Sequence, residues 1–301
     1  MEELHLPDNI KVHYAGSEVQ SQFLAVTNLG VRYSLYTCFP FVEKMVFGKT
    51  KCPIIPLKWQ KGNESIDIPR YIAKNSRHTI QDSGLFTLMF GGRSRADNSQ
   101  IITKWYDSLI EFTLNHGAPV TCVEVDCQKI LGVEKAWEFR ERMKHDLPNN
   151  RIINVFHLED GHKGLDRLIE FSDYIAISIP ELRFCGRKNY VPKLACYIKK
   201  KKPSIDIHLL GCTEKGLLEK CKFCTSSDST SYISGLRYGW IGDHHQKNIK
   251  TESVKKLVGI KKWNIINEYM NERNTNCICL QIEMLKRMYQ KAAGSQDYYK
   301  V

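Results

Sequence analysis

The sequence predicts an α/β fold, a single (β/α)8 barrel (TIM barrel) with a short C-terminal helical extension, and three observations carry that expectation. Short β-branched or aromatic runs alternate with amphipathic stretches, the pattern of repeated strand-helix-strand units. The runs near residues 120, 152, 174 and 205 are almost continuously apolar, as strands are when helices cover a parallel sheet. Polar residues close most of the later runs, at the end of the strand where barrel enzymes keep their sites. A chain of 301 residues, 42% hydrophobic and 26% charged, can bury a full core. An open doubly wound sheet would give similar local patterns and is the alternative.

The elements follow in order. The strand Lys11–Gly16 leads into the amphipathic stretch Glu18–Leu29. Arg32–Phe39 comes next, and then Phe41–Ser65, rich in Pro, Gly and Lys, reads as a loop inserted early in the barrel. Helical spacing at Ile68–Asn75 precedes the strand Thr79–Leu88. Helix and strand then alternate: Gln100–Asn115 with Val120–Asp126, Glu134–His145 with Ile152–Leu158, Lys163–Phe171 with Tyr174–Ile179, Pro192–Lys200 with Ile205–Gly211, and Glu214–Glu219 with Phe223–Tyr232. The barrel is therefore placed at 1–250 and the extension at 251–301, with one helix from Ser253 to about Met270 and another, frayed at its end, after Asn271.

Forty-four basic against 33 acidic side chains leave a net charge of +11, which favours a polyanionic partner over a merely soluble basic surface. The lysine run Lys199–Lys202 falls between a helix and the next strand, on the bottom face, and reads as a solvated turn. No stretch approaches about 18 consecutive apolar residues. The start, MEELHLPDN, has neither a basic nor an apolar leader region, so the expectation is a cytoplasmic protein without a membrane span. Eleven cysteines, an odd number, read there as free thiols, some of them available for metal.

Asp82, Asp126, His157 and Asp228 sit at strand ends. Singly, each has a plain explanation, since an Asp there often caps the following helix. Together, at near-successive strands, they point to one pocket. Three carboxylates without an evident metal set suit chemistry at a glycosidic carbon: one as nucleophile, one as acid and base, and one holding a leaving group through paired hydrogen bonds.

These residues carry a resemblance. Asp82-Ser83-Gly84-Leu85-Phe86 is similar to the DSGGF motif of tRNA-guanine transglycosylases, with Leu85 in place of the second Gly. The run Ile207-His208-Leu209-Leu210-Gly211, followed by Cys224-Thr225-Ser226-Ser227-Asp228-Ser229-Thr230-Ser231-Tyr232, resembles that family's last two barrel strands. The shorter branch, the 7-deazaguanine DNA transglycosylases of phages and bacteria, is the nearest in pattern. The resemblance spans about residues 10 to 245 and implies exchange of guanine in DNA for a 7-deazaguanine base, a DNA modification that protects against restriction. It implies Asp228 as nucleophile, Asp82 as general acid and base, and Asp126 as the reader of the purine edge. Ser83, Gly84, His157, Ser178, Ile179 and Gly211 fall at its base-binding positions. His157 stands where that family usually has Gln, and Ser178-Ile179 where it usually has Gly-Gly.

Arg93, Arg95, Arg183, Arg187, Lys188 and Arg237 lie beside the strand-end motifs and are candidates for holding a nucleic-acid backbone, with Tyr232, Tyr238 and Trp240 as stacking faces. The chemistry needs no cofactor. The family's zinc pattern is broken after Cys277-Ile278-Cys279, where position 282 is Ile. Zinc could instead join Cys221 and Cys224 with Cys277 and Cys279. That broken pattern, and a chain that stops soon after the barrel, favour DNA over tRNA. A tRNA-guanine transglycosylase and a basic barrel that only binds nucleic acid are the other readings.

Overall fold

In a computed structural model describing residues 9–48, 58–61, 64–90, 99–116 and 120–298, eight parallel strands close into a barrel. They are β1 (Lys11–Ala15), β2 (Tyr33–Thr37), β3 (His78–Asp82), β4 (Thr121–Val123), β5 (Arg151–Phe156), β6 (Tyr174–Ser178), β7 (Asp206–Leu210) and β8 (Ser226–Ser229). Each strand pairs with its neighbours in sequence, and β8 returns to β1 with His13 opposite Asp228. The expected (β/α)8 barrel is what the chain forms. Among the described residues no helix is long and apolar enough to cross a membrane.

Several boundaries differ from expectation for local reasons. The apolar run after Asp82 is not strand, because Gly84 takes φ 73° and turns the chain into a helix at Leu85–Phe90. A Cβ on Gly84 would come 2.7 Å from the Phe39 backbone, so the turn also needs the missing side chain. The expected loop 41–65 contains a helix, Phe39–Phe47, and an antiparallel hairpin, Lys58–Lys61 with Glu64–Asp67. Its residues 49–57 and 62–63 lie outside the described ones. The helix starts with Pro40 in its first turn and ends at Gly48 with φ 68°, signals lost when composition is averaged over the whole segment. The helix expected from Ser253 breaks at Gly259 into Thr251–Val258 and Ile260–Asn267.

The last helix, Glu272–Ala293, is capped by Asn271, whose Oδ1 accepts from the Asn274 N–H at 2.9 Å. Its end does not fray into solvent. Gln296 just beyond it is buried, accepting from Val12 N at 2.9 Å and donating to Ile10 O at 2.7 Å, which ties the tail to β1. Ile278, Cys279, Ile282, Tyr289 and Ala292 of this helix join the main core beneath β1, β6 and β7. The lysine run is likewise more embedded than a solvated turn. Lys199 is buried and donates to Pro203 O, while Lys202 bonds Ser172 O and Asp173, all below the barrel.

One buried charge group knits β4 to β5. Arg140 is 1% exposed and donates through Nε to Glu124 at 2.9 and 3.0 Å, through a guanidinium nitrogen to Asp160 at 3.3 Å, and to Val155 O at 2.9 Å. Glu124 also accepts from Asn154 and from Val155 N. Removing the cation leaves two buried carboxylates facing each other. Arg140→Met is expected to destabilise the fold by about 3–5 kcal/mol, read as a lower urea midpoint. A midpoint equal to the parent's would mean these carboxylates find other partners.

Candidate active site

The C-terminal ends of the strands bring the predicted polar residues to one rim. Asp82 ends β3, and its Oδ2 accepts from Gly84 N at 3.1 Å. Burial raises its carboxyl to about 6, with the charges of Asp126 and Asp228 adding to the effect and the Thr37 hydroxyl and the Gly84 N–H opposing it. Three carboxylates from β3, the β4 end and β8 thus share one electrostatic neighbourhood. Asp228 lies within β8 opposite His13, and its Oδ1 accepts from Gly211 N at 2.6 Å and faces His208 Nε2 at 3.2 Å.

Asp126 is held by His157, whose Nε2 lies 3.1 Å from Asp126 Oδ2. On the other side His157 Nδ1 lies 3.0 Å from Glu181 Oε2, and Glu181 Oε1 lies 3.0 Å from Lys129 Nζ. The Nδ1 contact is an ion-pair distance without hydrogen-bond alignment. Burial by itself would lower His157, but Asp126 and Glu181 outweigh it and hold the imidazole up to about 10. Burial would raise Glu181, yet His157 and Lys129 bring it down to about 2. The row Lys129, Glu181, His157, Asp126 therefore alternates in charge.

The other expected base-binding residues take different parts. Ser83 is buried, with its hydroxyl toward Leu85 N and its carbonyl accepting from Trp105 Nε1 at 3.0 Å, so it shapes the turn. Gly84 packs on Phe39. Ser178 caps the helix Ile179–Phe184 by accepting from Glu181 N. The Ile179 side chain is fully buried in the core and cannot face a base, and the Gly211 N–H is spent on Asp228. Tyr232 is buried against Tyr14, with ring centroids 5.3 Å apart, and offers no stacking face.

Arg183, Arg187 and Arg237 are exposed beside the rim, and Lys188 pairs with Glu214 at 2.6 Å. Arg93 and Arg95 lie outside the described residues. Among the described residues the exposed large aromatics are Phe86, Phe184, Tyr190, Tyr238 and Trp240, every one on a segment that follows the C-terminal end of β3, β6 or β8.

Sequence reasoning passed over three residues. Glu18 follows β1, and burial pushes its carboxyl up to about 7, with the Glu18 and Thr37 N–H groups opposing, the Asp82 charge raising and Arg237 lowering it. Its signal was the polar Gly16-Ser17-Glu18 end of the first strand. Glu181 was hidden inside a helix. His208 stood in view, alone in an apolar strand beside that of Asp228.

The four-thiolate zinc set does not assemble. Among the described residues the group of His, Cys, Asp and Glu ligand atoms lying within 4.8 Å of one another is His157, Glu159 and Glu181, with none of Cys221, Cys224, Cys277 and Cys279. Cys277 lies against Gly235, where an added Cβ would meet its Sγ at 2.7 Å. Burial raises the Cys277 thiol to about 11 and the Cys279 thiol to about 12, so in the metal-free protein both stand as neutral thiols.

No family model and no curated protein matches this chain. Among solved structures, one titled as a "putative fructose-1,6-biphosphate aldolase" from Coccidioides immitis aligns over 95% of this chain and 91% of that one, at a TM-score of 0.50 and 10% identity. At that identity the likeness concerns the fold alone, and it agrees with the barrel.

The raised carboxyl of Asp82 has a measurable consequence. Its folded value, about 6, lies above the ordinary 3.8, so ionisation weakens the fold. That penalty is absent below the ordinary value, grows between the two, and is complete above about 6. Asp82→Asn is expected to stabilise the protein at pH 8 by roughly 1–3 kcal/mol and to have little effect at pH 4, in urea titrations at both values. A destabilised variant at pH 8 would place Asp82 in a well-paired, not a crowded, environment.

Proposed function

We propose that this barrel is a DNA-guanine transglycosylase, a pentosyltransferase that exchanges guanine in DNA for a 7-deazaguanine base. The observation that carries the reading is the gathering of Asp82, Asp126 and Asp228 at one rim, where burial, with the charges of the other two carboxylates adding to it, lifts Asp82 to about 6. An acid and base works best near the ambient pH, so Asp82 suits that part. Asp228, with one oxygen tied to the Gly211 N–H and the other left over, suits the part of nucleophile.

In the proposed reaction the free carboxylate oxygen of Asp228 attacks C1′ of the target nucleotide. The C1′–N9 bond breaks, its electron pair passes to the base, and Asp82 donates a proton to the departing guanine. The incoming base then loses its N9 proton to Asp82 and attacks C1′. The Asp228 carboxylate leaves, and two displacements retain the sugar's configuration. Asp126 accepts from the N1–H and N2–H edge of the base. The positive His157, donating to Asp126 Oδ2, keeps that residue an acceptor and so favours guanine over adenine.

A duplex hides C1′, so the target must be flipped out or single-stranded. The rim aromatics Phe184, Tyr190, Tyr238 and Trp240 and the nearby Arg183, Arg187 and Arg237 suit a splayed polynucleotide, stacking bases and pairing phosphates. The same chemistry on tRNA would use the same catalytic residues, and the substrate assay decides between them.

Labelled guanine should exchange into DNA in the presence of the protein and not into tRNA. Asp228→Asn should fold and bind DNA normally but lose exchange by several orders of magnitude, since an amide does not form the glycosyl ester. Substantial residual exchange would reassign the nucleophile. Binding should weaken with salt at a slope of about −0.9 per neutralised phosphate on B-DNA. Replacing Arg183 and Arg187 together should flatten that slope in fluorescence anisotropy, whereas replacing Lys200 and Lys201, below the barrel, should leave it unchanged. The reverse ranking would move the nucleic-acid surface off the rim.

A further inference from the structure

β7 and β8 pair in parallel with His208 beside Ser226, so the imidazole, pointing into the barrel, reaches up its neighbour strand to Asp228. His208 and Ser226 are 0% and 1% exposed, and both ring nitrogens of His208 are engaged. Nδ1 lies 2.6 Å from Ser226 Oγ, and Nε2 lies 3.2 Å from Asp228 Oδ1. Ser226 Oγ in turn meets the hydroxyl of Tyr174 on β6 in a short contact. A continuous chain thus runs from the barrel interior to the rim carboxylate: Tyr174, Ser226, His208, Asp228.

We propose that this chain is a positioning device in which His208 orients the Asp228 carboxylate by holding Oδ1, so that Oδ2 faces the reacting carbon. The inference rests on the reading of Asp228 as nucleophile. Tyr174 is buried and remains a phenol, its hydroxyl held well above its ordinary range. A phenol donating to Ser226 leaves the serine proton for His208 Nδ1, which selects the tautomer carrying its hydrogen on Nε2. Every proton in the chain then points toward Asp228. The backbone N–H of Gly211 reaches the same Oδ1 at 2.6 Å, so both donors concentrate on one oxygen and the carboxylate cannot rotate freely. His13, its ring centroid 6.4 Å from that of His208, is kept neutral by burial and by its two imidazole neighbours, and adds no competing cation.

The test is steady-state base exchange with saturating DNA, with His208 replaced three ways. Gln places an amide N–H where Nε2 stands, Asn stops short of Asp228 while still reaching Ser226, and Phe removes every donor. The chain requires kcat to fall about 10–100-fold in His208→Phe and His208→Asn, with KM within about threefold, and requires His208→Gln to recover most of the loss. Ser226→Ala, which frees the tautomer, should lower kcat less and shift the pH profile of kcat. If His208→Phe does not fold, the Gln and Asn pair alone decides. Equal losses in Gln and Asn, a change confined to KM, or parent-like kcat in Phe or Asn would overturn the positioning role. Asp228→Asn separates the two claims. If it abolishes exchange while His208→Asn exchanges at the parent rate, only the positioning role falls; if it retains exchange, the nucleophile reading falls and takes this one with it.

Discussion

The structure is organised around a closing strand that carries no apolar side chain. Ser226, Ser227, Asp228 and Ser229 of β8 are all buried, yet this strand must seal the barrel against β1. A buried hydroxyl or carboxylate without a partner costs on the order of 1–3 kcal/mol or more, so the surroundings of β8 are built to supply partners. Ser226 meets Tyr174 and His208, Asp228 meets Gly211 N and His208, and Ser229 accepts from Tyr289 of the last helix at 2.9 Å. Among the described side chains of the strand, the Ser227 hydroxyl is the exception that finds none.

That constraint reaches outward. Barrel interiors are usually filled by Val, Ile and Leu, but here His13, His78, Tyr174 and His208 occupy interior positions and bond to one another or to the strands. His13 Nε2 lies 2.7 Å from His78 Nδ1, and His78 Nε2 lies 2.7 Å from Thr121 Oγ1. Burial depresses His78 to about 4 and holds His13 well below its ordinary value, so these two rings pack as neutral hydrogen-bonding groups. The last helix is bound to the same requirement, because Tyr289 completes Ser229 while Tyr14 packs on Tyr289 and Tyr232.

On the opposite wall, charge is handled by sandwiching. Arg140 sits between Glu124 and Asp160, and above it His157 sits between Asp126 and Glu181. Asp160 joins the tiers, since its Oδ2 accepts from His157 N at 2.9 Å. The lower tier carries a cation that does not titrate, and the upper one a cation whose charge depends on its two carboxylates. Among the described residues no cation pairs with Asp82 in this arrangement. Burial, with the charges of Asp126 and Asp228 adding to it, is what separates its protonation from that of ordinary surface aspartates.

The amino-acid sequence by itself determined the barrel, because the alternation of β-branched runs with amphipathic stretches is a local, periodic property that each segment carries alone. It also marked Asp82, Asp126, His157 and Asp228, since a strand-end position is read along the chain. Where composition stood in for periodicity, as across 41–65, or an apolar run continued past Gly84, the boundaries were misplaced. Only the tertiary structure decided which side chain serves which. Glu18 reaches the field of Asp82 across β2, Glu181 finds His157 from the next strand's helix, and His208 meets Asp228 through the register of β7 on β8. The same folding left Cys221, Cys224, Cys277 and Cys279 without a common metal-ligating cluster and buried Ile179 and Tyr232. Hydrogen bonds and charge pairs act over a few ångströms in space, and distances in space between residues far apart in the chain exist only once the barrel has closed.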